Sequence, residues 1–271
     1  MQEQLDVIVI GGGQAGLALG YYLKQLGVRF SILDGADEIG AAWRSRWDSL
    51  TLFTPSQWAR LPGLPFPKPS DSYPSKDEVA DYLKRYAEQF ELPVDLNSRV
   101  VGLKRRDHTF LVQTETAELE ATQVVVATGP FQRPLVPALG LELDEEVVQL
   151  HSSGYRNPHS LPPGEVLVVG AGNSGMQIAE EIAASRKVIL SQGRTLPIVP
   201  RRVLGRSLFW WLEITGLMNV PACSALGRRM SSNDEVVIGA SPGRVDSARV
   251  DAPTPRAATA RAPPADRRPY P

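Results

Sequence analysis

Two stretches of the chain share one pattern of hydrophobic and polar positions. In each, a short apolar run, Leu5–Ile10 or Val166–Val169, enters a glycine-rich turn and is followed by a segment with helical spacing. A strand buried on both faces of a parallel sheet is typical of such a run. A second apolar run completes each stretch, ending at Asp34 and at Leu190. The pattern therefore predicts two β-α-β units.

A proline-rich segment separates the first unit from the next predicted helix. Residues 37 to about 75 interleave prolines with tryptophan and phenylalanine, which predicts an irregular loop packed over another part of the molecule. Ser75 is the predicted N-cap of a helix, whose apolar face carries Val79, Tyr82, Leu83 and Tyr86. Short alternating strands are predicted from Arg99 to the sequence QVVVATG.

The chain changes character after the second unit. Residues 203–218 predict one helix in a core or between domains, with an apolar face of Leu204, Leu208, Trp211, Leu212 and Leu217. From about Gly239 onward Pro, Ala, Arg and Asp dominate without any period, which predicts disorder. The predicted organisation is a domain at 1–135, a linker at 136–163, a partial second domain at 164–238 and a disordered tail at 239–271.

Composition narrows the functional classes. A formal net charge of −1 over 271 residues gives no electrostatic reason to expect nucleic acid or an anionic membrane as partner. No apolar run approaches the roughly 18 residues that suggest a membrane span. Cys223 is the one cysteine, so no internal disulfide or Cys-x-x-Cys pair is possible. We expect a reducing compartment and a cytoplasmic protein.

The two glycine turns carry the candidate chemistry. Both have the spacing Gly-x-Gly-x-x-Gly, after a predicted strand and before a predicted helix, with the glycines at Gly11, Gly13 and Gly16 and at Gly170, Gly172 and Gly175. The first glycine permits the tight turn, the second lets the backbone approach a pyrophosphate, and the third lets helix and strand pack closely. The helix N-terminus then attracts the phosphates.

The residues that follow the second strands predict different cofactors. Asp34 can accept hydrogen bonds from the ribose hydroxyls of FAD or NAD and would repel a 2′-phosphate. In the second unit Ser191 and Arg194 replace the acid, and a guanidinium suits a phosphate. The sequence thus predicts FAD or NAD at the first site and NADPH at the second.

Several further motifs resemble the flavin-containing monooxygenase family. They are ATG at 127–129, QLHSSGYRNP in the linker, IGAAWRSRWDSLTLFTPSQWARLPGLPFP and YPSKDEVADYLKRYAEQF. Over roughly residues 5–238 the chain is most similar to the bacterial branch related to plant auxin-biosynthesis monooxygenases and associated by name with cation transport.

The resemblance implies an α/β fold in which an NADPH domain interrupts an FAD domain. It places Trp43 and Arg44 along the flavin, Val100 at the adenine, and Thr128 and Gly129 at the crossing between domains. Asn173 and Ser174 join the NADPH site. NADPH would reduce FAD, and the reduced flavin would pass one oxygen atom from molecular oxygen to a small-molecule substrate. No metal site and no individual catalytic residue is predicted, and the oligomeric state stays open.

Departures from the family pattern bear on activity. Glu145 and Val147 occupy the Phe and Gly places of a family motif that keeps His151 and Tyr155. His151 is interpreted as a structural residue at a domain joint. Nothing after Gly239 resembles the segment that completes the FAD domain, so that domain is expected to be incomplete. A flavin disulfide reductase is excluded, because its chemistry needs a pair of cysteines and this sequence has one. The alternative to an active oxidoreductase is a non-catalytic dinucleotide-binding remnant.

Overall fold

The first β-α-β unit is the centre of a six-stranded sheet. The structure is a computed structural model that describes residues 5–137, 140, 142–193, 196–231, 236–239 and 246–248. The sheet has the order β3-β2-β1-β6-β5-β4, with β1 Leu5–Ile10, β2 Phe30–Leu33, β3 Val94–Asp95, β4 Val100–Arg106, β5 Thr109–Thr114 and β6 Glu118–Val126. Strands β3, β2, β1 and β6 pair in parallel with one another, and β5 pairs antiparallel with both β6 and β4. The α/β fold class is confirmed.

Helices α1 (Gln14–Gln25) and α4 (Lys76–Gln89) supply the helical layer of this unit. Ser75 caps α4 in a reciprocal capping box with Glu78, as its predicted N-cap role requires. The four apolar residues predicted on one face of α4 are all buried, in one cluster with β1 and β2. Sequence periodicity was sufficient here because the helix has one apolar face and one polar face.

The proline-rich loop packs as predicted and contains two short helices, α2 (Ala41–Arg44) and α3 (Ser56–Ala59). The hydroxyl of Tyr82 donates to the carbonyl of Leu64 over 2.8 Å, and that of Tyr86 to the carbonyl of Pro62 over 2.6 Å. Helix α4 thus holds the loop by hydrogen bonds from buried tyrosines as well as by apolar contact.

The second unit is smaller. Strands β7 (Val166–Val169) and β8 (Val188–Ser191) pair in parallel around helix α5 (Asn173–Ala183). A third strand, β13 (Asp246–Ala248), adds to the free edge of β8. These three residues differ from the disorder predicted for 239–271, because an edge strand offers unpaired backbone groups to any extended segment. The remainder of that segment, after Gly239, lies outside the described residues.

The predicted helix over residues 203–218 is wrong at both ends. Strands β10 (Arg202–Val203) and β11 (Arg206–Ser207) form a hairpin, and α6 covers only Leu208–Ile214. Leu204 and Gly205 form its turn with φ of 48° and 76°, and Leu204 is 87% exposed rather than packed. Leu217 lies in a separate 3-10 turn after Gly216. The Leu-Gly turn stops the helix from extending towards the N-terminus.

Three short elements complete the described chain. Strand β9 (Ile198–Val199) pairs in parallel with β12 (Val237–Ile238), and α7 spans Ala225–Ser231. Within the described residues, no helix is both long enough and apolar enough to cross a membrane.

Candidate dinucleotide-binding sites

The first glycine turn is closed by its own backbone. Gly11 follows β1 with a φ of 111°, a conformation that side chains rarely allow, and its N–H donates to the carbonyl of Leu33 over 2.8 Å. A Cβ on Gly16 would lie 1.9 Å from the carbonyl oxygen of Gly11. Helix α1 can therefore approach β1 this closely only because both residues are glycine.

Gly13 differs, because nothing in the described part of the chain requires a glycine there. It precedes α1 with a φ of −81° and a ψ of −169°, which is ordinary extended backbone. A Cβ at Gly13 would meet no atom within 4 Å. No side chain caps α1, so its first N–H groups face an open cradle. This arrangement suits a pyrophosphate that contacts the protein backbone, because a side chain at Gly13 would block that contact.

Asp34 stands directly after β2, beside the same turn. Its carboxylate oxygens accept hydrogen bonds from the backbone N–H groups of Gly12, at 2.6 Å, and of Ala36, at 2.9 Å. A carboxylate has about four acceptor positions, so these two bonds leave capacity for ribose hydroxyls. Sequence reasoning assigned Asp34 only to the ribose, whereas the structure also makes it a support of the glycine turn.

The second glycine turn repeats the geometry of the first. Gly170 has a φ of 102°, and its N–H donates to the carbonyl of Ser191 over 2.9 Å. A Cβ on Gly175 would again lie 1.9 Å from the carbonyl oxygen of the first glycine. Gly172 precedes α5 with a φ of −70°, a ψ of −179° and no side-chain cap. The same backbone arrangement for an anion is therefore present twice.

The side chains around the second turn are placed unequally. Ser191 ends β8 at the predicted position, and Ser174 is exposed at the start of α5. The amide of Asn173 is instead hydrogen-bonded to the backbone of residues 236 and 238. Arg194, predicted to contact a 2′-phosphate, lies outside the described residues.

Arg44, predicted along the flavin, is held by carboxylates of the chain. Its guanidinium lies 3.1 Å from Glu38, 3.7 Å from Asp77 and 2.5 Å from Asp81. The hydrogen bond to Asp81 is the largest cause of the raised pKa of Arg44. These ion pairs join α2 to α4, so the arginine positions this part of the loop. Trp43, its neighbour, packs against the hydrophobic cores of both units.

The ATG segment lies over the first turn. A Cβ on Gly11 would come within 2.5 Å of the carbonyl oxygen of Ala127, which brings this segment against the turn. Thr128 accepts a hydrogen bond from Gln132, and Gly129 has a φ of 73°. Val100, predicted at the adenine, begins β4 two residues after Ser98, whose N–H donates to the carbonyl of Asp34 over 2.8 Å.

Comparison with known proteins identifies this arrangement. Residues 8–198 match the family described as pyridine nucleotide-disulphide oxidoreductase. The chain belongs to this family. It is 48% identical over 239 residues to an uncharacterized oxidoreductase CzcO-like of Geobacillus kaustophilus, covering 88% of the chain and 69% of that relative. It is 34% identical over 216 residues to the probable indole-3-pyruvate monooxygenase YUCCA8 of Arabidopsis thaliana, covering 74% of the chain and 50% of that relative.

Solved structures share the fold of this chain. A flavin-containing monooxygenase from Stenotrophomonas maltophilia superposes with a TM-score of 0.71 at 30% identity, over 88% of this chain and 70% of that one. The OTEMO complex with FAD and NADP shares the fold with a TM-score of 0.59 at 24% identity, over 73% of this chain and 40% of that one. The resemblance to flavin monooxygenases drawn from the motifs is confirmed.

The disulphide in the family's description has no counterpart within this sequence. Its one cysteine, Cys223, is exposed and free, so the chain supplies no pair of thiols for dithiol-disulphide exchange.

Sequence reasoning missed a joint between the two units. Trp47, from the proline-rich loop, is 3% exposed in the core of the second unit. Asp48 accepts from the side-chain amide of Asn157 over 2.7 Å, and the hydroxyl of Tyr155 donates to Glu181 on α5 over 2.8 Å. Burial is the main cause that raises the pKa of Tyr155. The many aromatic residues of the proline-rich loop indicated that it packs against another part of the molecule, but the sequence did not show which residues they contact.

His151 lies near Tyr155 and Asn157 of this joint in the sequence. Its ring Nδ1 lies 2.8 Å from the hydroxyl oxygen of Ser153, a local contact two residues away. That local contact does not test its interpretation as a structural residue at a domain joint.

Proposed function

We propose that this chain is an FAD- and NADPH-dependent oxidoreductase of the flavin monooxygenase type. The observation that carries the proposal is the pair of glycine turns with one geometry, of which the first is followed by an acid and the second by Ser191. FAD and NADPH are the cofactors expected from membership of this family. The substrates are then molecular oxygen and a small molecule.

In this proposal the first turn holds the FAD pyrophosphate. The N–H groups at the start of α1 donate to the phosphates, and the open space at Gly13 admits them. The carboxylate of Asp34, fixed by two backbone N–H groups, accepts from the ribose. Val100, Thr128 and Gly129 are assigned to the adenine and to the domain crossing, and Trp43 and Arg44 to the flavin side.

The second turn holds NADPH by the same backbone means. The N–H groups at the start of α5 receive the pyrophosphate, while Ser191 and Arg194 select the 2′-phosphate. The bound cofactors would supply the redox chemistry, with hydride passing from NADPH to FAD and, from molecular oxygen, one oxygen atom passing to the substrate and the other leaving as water. The chain's own contribution is to orient the two cofactors and to keep water away from the reduced flavin.

A specific observation favours a second candidate, a dinucleotide-binding protein without turnover. Val126 at the end of β6 is 64% exposed, and Leu167 and Val169 in β7 are 54% and 65% exposed. Parallel sheets are normally covered on both faces. Of these positions, Val126 lies next to Ala127 at the first turn, so an uncovered face there would admit water to the proposed flavin site and shorten the life of the reduced flavin.

Substitution Gly13→Val tests the flavin site. The Cβ of a valine there meets no atom within 4 Å, so the apo-protein should stay folded, with only a small loss of stability at the N-cap of α1, while FAD binding is lost. Gly193→Val is the matched control, because a Cβ at Gly193 also meets nothing within 4 Å. FAD content per folded chain is read from the flavin absorbance.

Each result of this test decides one point. Undiminished FAD in folded Gly13→Val would place the flavin elsewhere and contradict the assignment of the first turn. If the unmutated protein takes up FAD but does not oxidise NADPH, the protein without turnover becomes the better description.

A further inference from the structure

The side chain of Asn173 bonds to a distant segment of its own chain. Its Nδ2 donates to the carbonyl of Val236 over 3.3 Å, and its Oδ1 accepts from the N–H of Ile238 over 2.9 Å. Asn173 is the first residue of α5, directly after Gly172 of the second glycine turn. One amide therefore joins the start of the proposed NADPH helix to residues more than sixty positions away.

The bonds of Asn173 occupy the side of β12 that β9 leaves free. On one side of β12, the N–H of Val237 donates to Pro197 over 2.9 Å and that of Gly239 to Val199 over 2.8 Å. The N–H of Ile238 points the other way, to Asn173. The amide thus pairs with β12 as a neighbouring strand would, by one donor and one acceptor.

The strand held in this way is a buried part of the second unit. Val237 is 1% exposed and packs in the same core as Met176 and Ile178 of α5. Gly239, with a φ of 85°, lies against the side chain of Arg201, which a Cβ would overlap at 2.3 Å. Residues 236–239 are therefore fixed on both sides, next to the first turn of α5.

Among the described residues, the first unit has no equivalent contact. Gln14, which opens α1 as Asn173 opens α5, is exposed, and the first glycine turn is instead covered by the carbonyl of Ala127. The two turns are alike, but the second is tied to its surroundings by a side chain.

We propose that Asn173 is a positioning residue for NADPH, acting through the strand at 236–239. Helix ends fray, and its two bonds hold the first turn of α5 with its N–H groups ready for the pyrophosphate. NADPH binding and docking of 236–239 then stabilise each other, because both use that turn. The inference rests on the proposed NADPH site and replaces a direct side-chain contact of Asn173 with the cofactor.

Two substitutions remove the two partners separately. Asn173→Ala deletes the amide, and Ile238→Pro deletes the N–H that points to Asn173 while leaving the ladder with β9 intact. Gln14→Ala, at the same position of the first unit, is the matched control. Hydrogen exchange of the peptide covering 236–239 is measured without cofactor, and NADPH affinity is measured by titration for each variant and for the double variant.

We expect Asn173→Ala to speed exchange in 236–239. Ile238→Pro removes one of the two bonds and should weaken NADPH binding about fivefold, whereas Asn173→Ala removes both and should weaken it at least as much. The double variant should bind no more weakly than Asn173→Ala alone, because that change already removes both bonds. Gln14→Ala should change neither measurement.

Three results would overturn the inference. Unchanged exchange in folded Asn173→Ala would mean that the amide does not hold the strand. Losses of affinity that add in the double variant would mean that Asn173 contacts NADPH directly. If the unmutated chain binds no NADPH, the proposed second site fails and the coupling with it, whereas the exchange data still decide whether the amide holds the strand.

Discussion

The two glycine turns have the same internal geometry and different surroundings. In both, a Cβ on the third glycine would lie 1.9 Å from the carbonyl oxygen of the first glycine. In both, the first glycine has a φ above 100°. Around the first turn, the carbonyl of Ala127 lies within 2.5 Å of a Cβ on Gly11, whereas a Cβ on Gly170 meets nothing within 4 Å. The local sequence sets the turn, and the neighbouring strand sets how tightly it is enclosed.

This difference follows from the sheets. The first turn lies between β2 and β6, which both pair with β1. The second lies at the end of β7, an edge strand of its sheet, so one side of the turn has no neighbour among the described residues. Gly170 is thus needed for its backbone conformation alone, whereas Gly11 is needed for its conformation and for its packing against Ala127.

Alanine substitutions separate conformation from packing and should have the largest effects. Gly16→Ala and Gly175→Ala both force a backbone overlap at 1.9 Å, so each should destabilise its own unit by about 3 kcal/mol or more. Gly170→Ala carries only the cost of its φ, about 1–2 kcal/mol. Gly11→Ala adds the overlap with Ala127 and should cost clearly more. Denaturant-dependent hydrogen exchange reports each unit separately.

Equal costs for Gly11→Ala and Gly170→Ala would contradict the comparison, because they would mean that Ala127 yields without penalty. Gly13→Val, whose Cβ meets no atom within 4 Å, serves as the control for a side chain in the turn without a backbone overlap and should cost only the weaker N-cap of α1.

The fold was predictable from the sequence where local rules decide it. The two β-α-β units and the Ser75 cap follow from runs, spacing and capping residues close in sequence. The helix predicted over 203–218 failed because apolar spacing outweighed a Leu-Gly pair that forms a hairpin turn. A glycine inside an apolar period was the available warning.

The candidate sites were predictable as backbone and only partly as side chains. Glycine spacing identifies a phosphate cradle because the chemistry belongs to the main chain. The bonds of Asn173 to 236–238, the burial of Trp47 in the second core and the ion pairs of Arg44 join residues far apart in sequence. No local pattern contains such pairs, so they needed the three-dimensional arrangement.

Arg194→Ala sharpens the comparison at the level of cofactor choice, with an intermediate effect. Ser191 and Arg194 stand where the first unit has Asp34, so the variant should lose most of its preference for NADPH over NADH, about 1–3 kcal/mol for a charge-assisted contact. Affinity for NADH should hardly change. Titration with both cofactors measures this, and equal affinities in the unmutated protein would contradict the assignment of the second site.

Lowering the pH should destabilise the first unit before the second. This effect should be smaller than those of the substitutions above. Helix α4 begins with Asp77 and Glu78, while α5 has no acid in its first turn. Lys68 donates to Glu78 over 2.5 Å, and this bond is the largest cause of the lowered pKa of the carboxyl. A lowered pKa adds stability above the unfolded value of about 4.3 and loses it as pH falls through the folded value.

Glu78→Gln tests this charge while keeping the cap, since glutamine can also accept from the N–H of Ser75. Because the Glu78 side chain is 37% exposed, we expect a loss of under about 1 kcal/mol at pH 7 in the exchange stability of the first unit. The difference from the unmutated protein should shrink as the pH falls through the lowered pKa of Glu78, because its carboxyl then loses its charge. Residues 166–191 should show no change at neutral or acid pH. A loss that does not shrink in acid would trace the effect to the cap instead of the charge, and an equal loss in the second unit would mean that the two units unfold together.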